Sequence, residues 1–379
     1  MKRLFVVTGE LSGDKHAAGI IKILKERHPD LEVEAVGGEY CENAGAKIFL
    51  NHSKMSAMGI GAKIIFDHIM LGKKITEHLK SEFKPDLVLL TDYGGFNLAI
   101  SKFLKKAGLK IFYYIPPQIW ASRKHRIKTV KKHIDKVLTI FPFEKEMYEK
   151  EGISAEFVGH PLVNSMPPAA NRREVFAKYG FDEGKKLIGI FPGSRKFEIN
   201  ELLKIFVKAA KTIKEEMPET QFALCLAPTI KRETVERELP DFIKITENSN
   251  YELLSTADAL MLASGTVALE AALYGTPMII SYKGPWLLYL IYLAVRCIKN
   301  VSLPNIISGK DIVPELIQVK AKPEIIAANL VKILKNKQYE ENMRFELNNI
   351  RKELGRKNSA EAAADAISKE LYGSKREEL

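Results

Sequence analysis

Short apolar runs alternate with segments of helical spacing along most of the chain. The runs fall at residues 4–9, 32–37, 87–92, 110–116, 136–142 and 155–160, and again at 186–194, 221–228, 242–246, 259–265 and 277–283. Between them, stretches such as AAGIIKILKER and ELLKIFVKAAKTIKEE repeat apolar positions every three or four residues. Apolar strands separated by helices predict parallel sheet covered on both faces. The series comes twice. The break lies near NSMPPAANRRE (164–174), whose Pro, Asn and small residues read as a linker. The expected architecture is α/β, with two doubly wound Rossmann-like domains facing across a cleft. The first spans 1–165 and the second 166–340. A charged helical tail, 341–379, either crosses back to the first domain or reaches a partner subunit.

Composition narrows this picture. The chain has 379 residues, 46% of them hydrophobic, which suits a globular protein and excludes a fibrous or disordered one. Three cysteines without a CxxC exclude a disulfide framework and a thiolate zinc site, and point to a reducing compartment. The start, MKRLFVVTGE, lacks the apolar core of a secretory signal. The longest apolar stretch, Pro285 to Val295, falls short of the roughly 20 residues that span a bilayer. The expectation is a soluble or peripheral protein.

Charge adds an anionic partner. Formal net charge is +11, and from Leu98 to Lys136 there are eleven Lys or Arg against one acidic residue, Asp135. Such a run is either a solvated surface or a docking face for phosphate or anionic lipid. Only Trp120 interleaves with the basic stretch, so nucleic acid is not the expected partner.

In open α/β sheets, ligands bind beyond the carboxyl ends of the strands. The segment TGELSGD (8–14) joins strand to helix. Ser12 or Asp14 there could cap a helix whose amides favour an anion, or merely cap an ordinary turn. It matches neither GxGxxG nor GxxxxGK[ST]. TDYGGFN (91–97) places Asp92 at a strand end, as a general base or as a turn residue. FPGSRKFEI (191–199) sets Arg195 at a helix start, where it could grip a diphosphate, with Glu198 suiting the helix dipole. In ASGTVALEAAL (263–273), amides and the Ser264 and Thr266 hydroxyls could cradle phosphate, and Glu270 could meet a ribose or be a plain helix residue. VSLPNIISGKDIVPELIQ (301–318) holds Asn305, Glu315 and Gln318, facing a ligand or satisfying local backbone. The eight histidines form no metal motif, no DxD occurs, and His160 before Pro161 reads as structural. A GxSxG elbow is absent.

Taken in order, GELSGD, MGIG, TDYGGFNLAI, IPPQIWASRKHRI, FPFE, FVGHPL, PGSR-xx-EI, ASGTVALEAAL and SLPNII resemble the lipid-A-disaccharide synthases, from about residue 4 to about residue 320. Those are GT-B glycosyltransferases of Gram-negative bacteria. The resemblance implies an inverting enzyme without a metal or other cofactor, cytoplasmic and peripheral on the inner membrane. It would join UDP-2,3-diacylglucosamine to 2,3-diacylglucosamine 1-phosphate, giving a β-1,6 disaccharide and UDP. It also allows a homodimer with exchanged C-terminal segments.

Carried over by residue, the resemblance makes Asp92 the base. Glu10, Ser12, Gly13, Asp14 and Asn97 become residues of the acceptor side. Gly193, Ser194, Arg195, Ser264, Gly265, Thr266, Glu270 and Asn305 become UDP-binding. Three positions depart from the family pattern: Gly94 replaces a proline, Ala62 stands where a glutamate is common, and Ser122 where a second Trp is. An inverting transfer needs a base for the acceptor hydroxyl and positive charge at the leaving diphosphate, which Asp92 and Arg195 could supply. KIIFDHIMLGKKI (63–75) and WLLYLIYLAVRCI (286–298) are either buried helices or acyl-binding and membrane-docking surfaces. Rival readings are another GT-B UDP-sugar transferase, a UDP-sugar epimerase, or a weakly active UDP- or lipid-binding protein.

Overall fold

The computed structural model describes residues 1–52, 62–286, 289, 290, 293 and 296–373. The chain forms two compact units, Met1–Asn164 with Leu354–Leu379, and Ser165–Glu353.

The first unit is built on a parallel sheet of seven strands: β1 (Arg3–Val7), β2 (Glu32–Gly37), β3 (Lys47–Asn51), β4 (Leu87–Thr91), β5 (Ile111–Tyr114), β6 (Lys136–Thr139) and β7 (Ala155–Phe157). Their order is β3-β2-β1-β4-β5-β6-β7. Central strands β1 and β4 are apolar and buried almost throughout, because helices cover both faces of a parallel sheet. The helices are α1 (Leu11–Arg27), α2 (Glu39–Asn43), α3 (Ala62–His78), α4 (Gly94–Lys106), α5 (Ile127–His133), α6 (Pro142–Lys150) and α7 (Pro161–Ser165).

The second unit repeats the plan with six strands: β8 (Leu187–Phe191), β9 (Gln221–Leu226), β10 (Ile243–Glu247), β11 (Ala259–Ala263), β12 (Met278–Tyr282) and β13 (Glu315–Ile317). Their order, β10-β9-β8-β11-β12-β13, is again that of a doubly wound nucleotide-binding fold. Its helices are α8 (Arg172–Tyr179), α9 (Lys196–Glu216), α10 (Asn250–Thr256), α11 (Thr266–Tyr274), α12 (Leu303–Ser308), α13 (Pro323–Lys335) and α14 (Lys337–Leu354).

The boundary expected at 340/341 falls inside α14. Arg344 on that helix donates to the carbonyls of Gly275 and Asp258, which ties α14 to the second unit. Only the last helix, α15 (Ser359–Tyr372), belongs to the first. It lies on α1, where Gly19 brings the Ala360 side chain close, His28 stacks on Tyr372 at 4.0 Å, and Arg27 pairs with Asp365. Ala363, Ala364, Ile367 and Leu371 are buried there.

β3 and β13 lie outside the expected strands. Both are short edge strands paired on one side only, so neither needs a continuous apolar run. Among the described residues, no helix is long and apolar enough to cross a membrane. On α3, Ile69 and Met70 are exposed beside Lys73 and Lys74, while Leu71 and Ile75 are buried. Residues 53–61, which include the whole MGIG segment, and part of 286–298 lie outside the described residues.

Candidate active site

In the first sheet the strand order reverses between β1 and β4, the place where ligands bind in open α/β sheets, and the loops leaving those two strands meet there. The β1 loop brings Gly9 to Asp14, and the β4 loop brings Asp92. Asp92 and Tyr93 both adopt left-handed backbone, with φ of 51° and 45°. For non-glycine residues this costs about 1–3 kcal/mol each and persists only where the surroundings enforce it. The enforcement is visible. The Asp92 carbonyl accepts from Tyr113 Oη at 2.8 Å and from Asn97 Nδ2 at 2.8 Å, and its amide donates to the Tyr114 carbonyl at 3.0 Å. The carboxylate is left to accept the Ser12 hydroxyl, at 3.3 Å.

Glycine is required twice around this turn. A Cβ on Gly9 would lie 2.1 Å from the Tyr93 ring, and one on Gly94 would lie 2.6 Å from the Pro117 side chain. At the second position the family pattern has proline, and this chain brings Gly94 close against Pro117.

The remaining first-unit candidates separate into two groups. Glu10 and Ser12 are exposed at the start of α1, and Gly13 is buried beside Thr91 and Asp92 with room for a Cβ. Asp14 and Asn97 are fully buried. Asp14 accepts from the amides of Gly38 and Tyr40, so it fastens α1 to the start of α2 and has no face for a ligand. Asn97 spends its amide on the carbonyls of Thr91 and Asp92. Both support the main chain of the site.

Two neighbours of Asp92 carry no signal in the residue pattern. Tyr113 is one. The other is His16, half-buried two residues after Asp14. Burial lowers its pKa, and the Asp92 charge works in the opposite direction. His160 is also buried, with Nδ1 accepting the Leu162 amide, and burial lowers its pKa to about 3. Trp120 is buried, donating from Nε1 to Glu144 at 2.8 Å, so it offers no stacking face for a nucleobase.

In the second sheet the order reverses between β8 and β11. A cavity of about 760 Å³ opens beyond their carboxyl ends, within the range of small-molecule sites. Gly193, Ser194 and Arg195 line one side, and Ser264, Gly265 and Thr266 another. The two loops differ in a way their sequences hide. Glu198, largely buried, accepts the amides of Ser194 and Arg195 at 3.0 and 3.3 Å, so the start of α9 is already capped by its own carboxylate. The start of α11 has no side-chain cap and no acid in its first turn, and Gly265 has open space around it. The amides available to an anion are therefore those of α11, while the Arg195 guanidinium stands 82% exposed above the other loop.

Glu270 does not line the cavity directly. Asn250 and Tyr251 donate to its two oxygens at 3.2 and 3.3 Å, and those two residues do line it. They follow β10, at another strand end. Asn305 is buried. It bonds Val313 through both ends of its amide and also donates to Glu315, so it shapes its loop and has no donor to spare for a nucleotide. Cys41 and Cys225 are buried, which raises both thiols, and among the described residues no three His, Cys, Asp or Glu side chains group to hold a metal.

A family model described as lipid-A-disaccharide synthetase matches residues 4–369. The lipid-A-disaccharide synthase of Coxiella burnetii (strain CbuG_Q212) is 36% identical over 374 residues, covering 98% of this chain and 99% of its own.

The chain belongs to the lipid-A-disaccharide synthase family.

The family's enzymes are glycosyltransferases. The lipid-A-disaccharide synthase of Geobacter metallireducens is 34% identical over 379 residues, covering 99% and 98% of the two chains. Among solved structures, the UDP-GlcNAc 2-epimerase from Neisseria meningitidis aligns with a TM-score of 0.62 at 14% identity, over 97% of this chain and 100% of that one. The glycotransferase of kitacinnamycin aligns at 0.64 and 14%, over 98% and 99%. At that identity the likeness is one of fold, the two-domain GT-B architecture, which transferases and epimerases share.

Proposed function

We propose that this family member joins UDP-2,3-diacylglucosamine to 2,3-diacylglucosamine 1-phosphate, with inversion, to give the β-1,6 disaccharide 1-phosphate and UDP. The geometry of Asp92 carries the reading. A carboxylate held on a strained, triply anchored turn at a strand end suits a base that must meet one hydroxyl in one orientation.

In the proposed step Asp92 takes the proton of the acceptor 6-hydroxyl as its oxygen attacks the anomeric carbon of the donor. The bond to the diphosphate breaks on the opposite face, and UDP leaves with the electron pair. Ser12 orients the carboxylate. Arg195 and the free amides of α11 bear the charge growing on the leaving diphosphate, in place of a cation. Glu270 holds Asn250 and Tyr251 at the cavity wall, where they meet the ribose. Exposed Lys73, Lys74, Arg123 and Lys124 favour an anionic inner-membrane surface as the place of work.

The test is a product assay. Purified protein receives both lipids in detergent with EDTA, and mass spectrometry looks for the tetraacyl disaccharide 1-phosphate while UDP is counted. Matching amounts of disaccharide and UDP are expected. UDP release without disaccharide, or isomerised donor without an acceptor requirement, would replace this reading with hydrolysis or epimerisation.

A further inference from the structure

Beyond the carboxyl ends of β11, β12 and β13 lies a second cavity, of about 210 Å³, beside the nucleotide cavity of about 760 Å³. The two share Ser264. Its other walls are Tyr282, Gly284, Pro285, Tyr289, Val301 and Ile317, so it is mainly apolar, unlike its neighbour. Its rim is built stiffly. Gln318 is 5% exposed and left-handed, with φ of 53°. Its amide oxygen accepts from the Gly284 nitrogen at 3.0 Å, and its Nε2 donates to the Gly284 carbonyl at 2.6 Å. Glu315 accepts the Val301 and Ser302 amides at 2.9 Å each, which holds Val301 in the wall.

The arrangement is a row along one sheet edge: a polar cavity, then the open helix start at Ser264 to Thr266, then a narrow apolar cavity. A ligand whose diphosphate sits at that helix start has its nucleoside on one side and its sugar on the other. We infer that the apolar cavity takes the carboxyl-proximal methylenes of an acyl chain borne by the donor sugar. The inference rests on the proposed transferase reading for the identity of the donor. It adds the place where acylated and unacylated donors are told apart. Burying a methylene is worth about fourfold in affinity, roughly 0.8 kcal/mol, so even a short acyl group is discriminated strongly.

Calorimetry with the full chain tests this. The probes are UDP, UDP-glucosamine, and UDP-glucosamine carrying acetyl, butanoyl or hexanoyl groups at positions 2 and 3, which avoid micelles. Two variants narrow the cavity from half-exposed positions on different walls, Val301→Trp and Ile317→Trp. The expected result is affinity that climbs by about fourfold or more per added methylene in the unmodified protein and stays flat in both variants, with UDP affinity unchanged within about twofold. An equal climb in variants and parent overturns the assignment, and so does a parent indifferent to chain length while it still binds UDP. The second outcome leaves the transferase reading intact. Loss of UDP binding in the parent would overturn both.

Discussion

The Tyr113 hydroxyl donates a 2.8 Å hydrogen bond to the main-chain oxygen of Asp92, joining the end of β5 to the turn after β4. Tyr113 is buried, and burial, followed by the nearby Asp92 charge, pushes its phenol well above the usual value. It therefore stays a donor at any working pH. Tyr113→Phe removes the bond without changing shape. Stability should fall by about 1 kcal/mol, and turnover by roughly tenfold, as the Asp92 turn loses one anchor. UDP affinity should not move. A parallel loss of kcat and UDP affinity would show that Tyr113 serves general stability and not the base.

Asp92→Asn keeps the shape of the turn and removes the proton acceptor. Turnover should drop about 10²- to 10⁴-fold, with UDP bound as before by calorimetry. Full activity in the variant would take Asp92 out of the proposed step.

Arg195 is exposed and close to one partner, Glu198 at 3.4 Å, so its guanidinium can turn toward a ligand at little cost. Arg195→Ala should weaken UDP binding by roughly 10- to 100-fold, as expected for charge-assisted bonds of about 1.5–3 kcal/mol. Lys should restore part of it, lacking the forked geometry. The loss should shrink when salt is raised. A salt-independent loss would point to a rearranged loop.

Much of this site was legible because residues after strand ends have few reasons to be polar at all. Asp92, Arg195 and the Ser264–Thr266 turn were found that way. Sequence is silent where a polar side chain serves its own backbone, because Asp14, Asn97 and Asn305 look the same in it as residues that face a ligand. It also cannot weigh one helix start against another. Glu198 closes α9 through a contact four residues long, whereas nothing closes α11. Asn250 and Tyr251 were within reach, since they too follow a strand. Tyr113 was not, because its hydroxyl emerges from the middle of an apolar run. In the fold, the buried strands announced themselves by continuous apolar residues, and the edge strands β3 and β13 did not.

Glu144 gives a pH signature. It is fully buried beneath Trp120, and burial raises its pKa to about 7, against bonds from Trp120 and the Phe141 amide that lower it. The folded pKa lies above the unfolded one. The unfolded chain therefore sheds this proton first, and stability is lost as pH rises from about 4.5 to about 7. Glu144→Gln cannot ionise, so its melting temperature should gain on the parent across that window and level off above it. The relative gain should be on the order of 3 kcal/mol at most. A constant difference from pH 4.5 to 8 would contradict the buried-acid account.

Ile367 on α15 is fully buried in the first unit. Ile367→Ala should cost about 2–5 kcal/mol in urea unfolding of that unit, while UDP affinity, which the proposed function assigns to the second, stays the same. A cost below about 1 kcal/mol would mean that α15 is a loosely attached ornament.

That helix also sets the order of events at the ribosome. The strands of the first sheet are finished by Phe157, yet the helix that covers α1 begins at Ser359. At about 5–20 residues per second, synthesis of the intervening stretch takes roughly 10–40 s. The second unit is made whole within that interval, and the part of the chain born first is completed last. Any sticking during biogenesis should therefore start at the bare face of α1, and it should worsen whenever translation stalls before the final helix emerges.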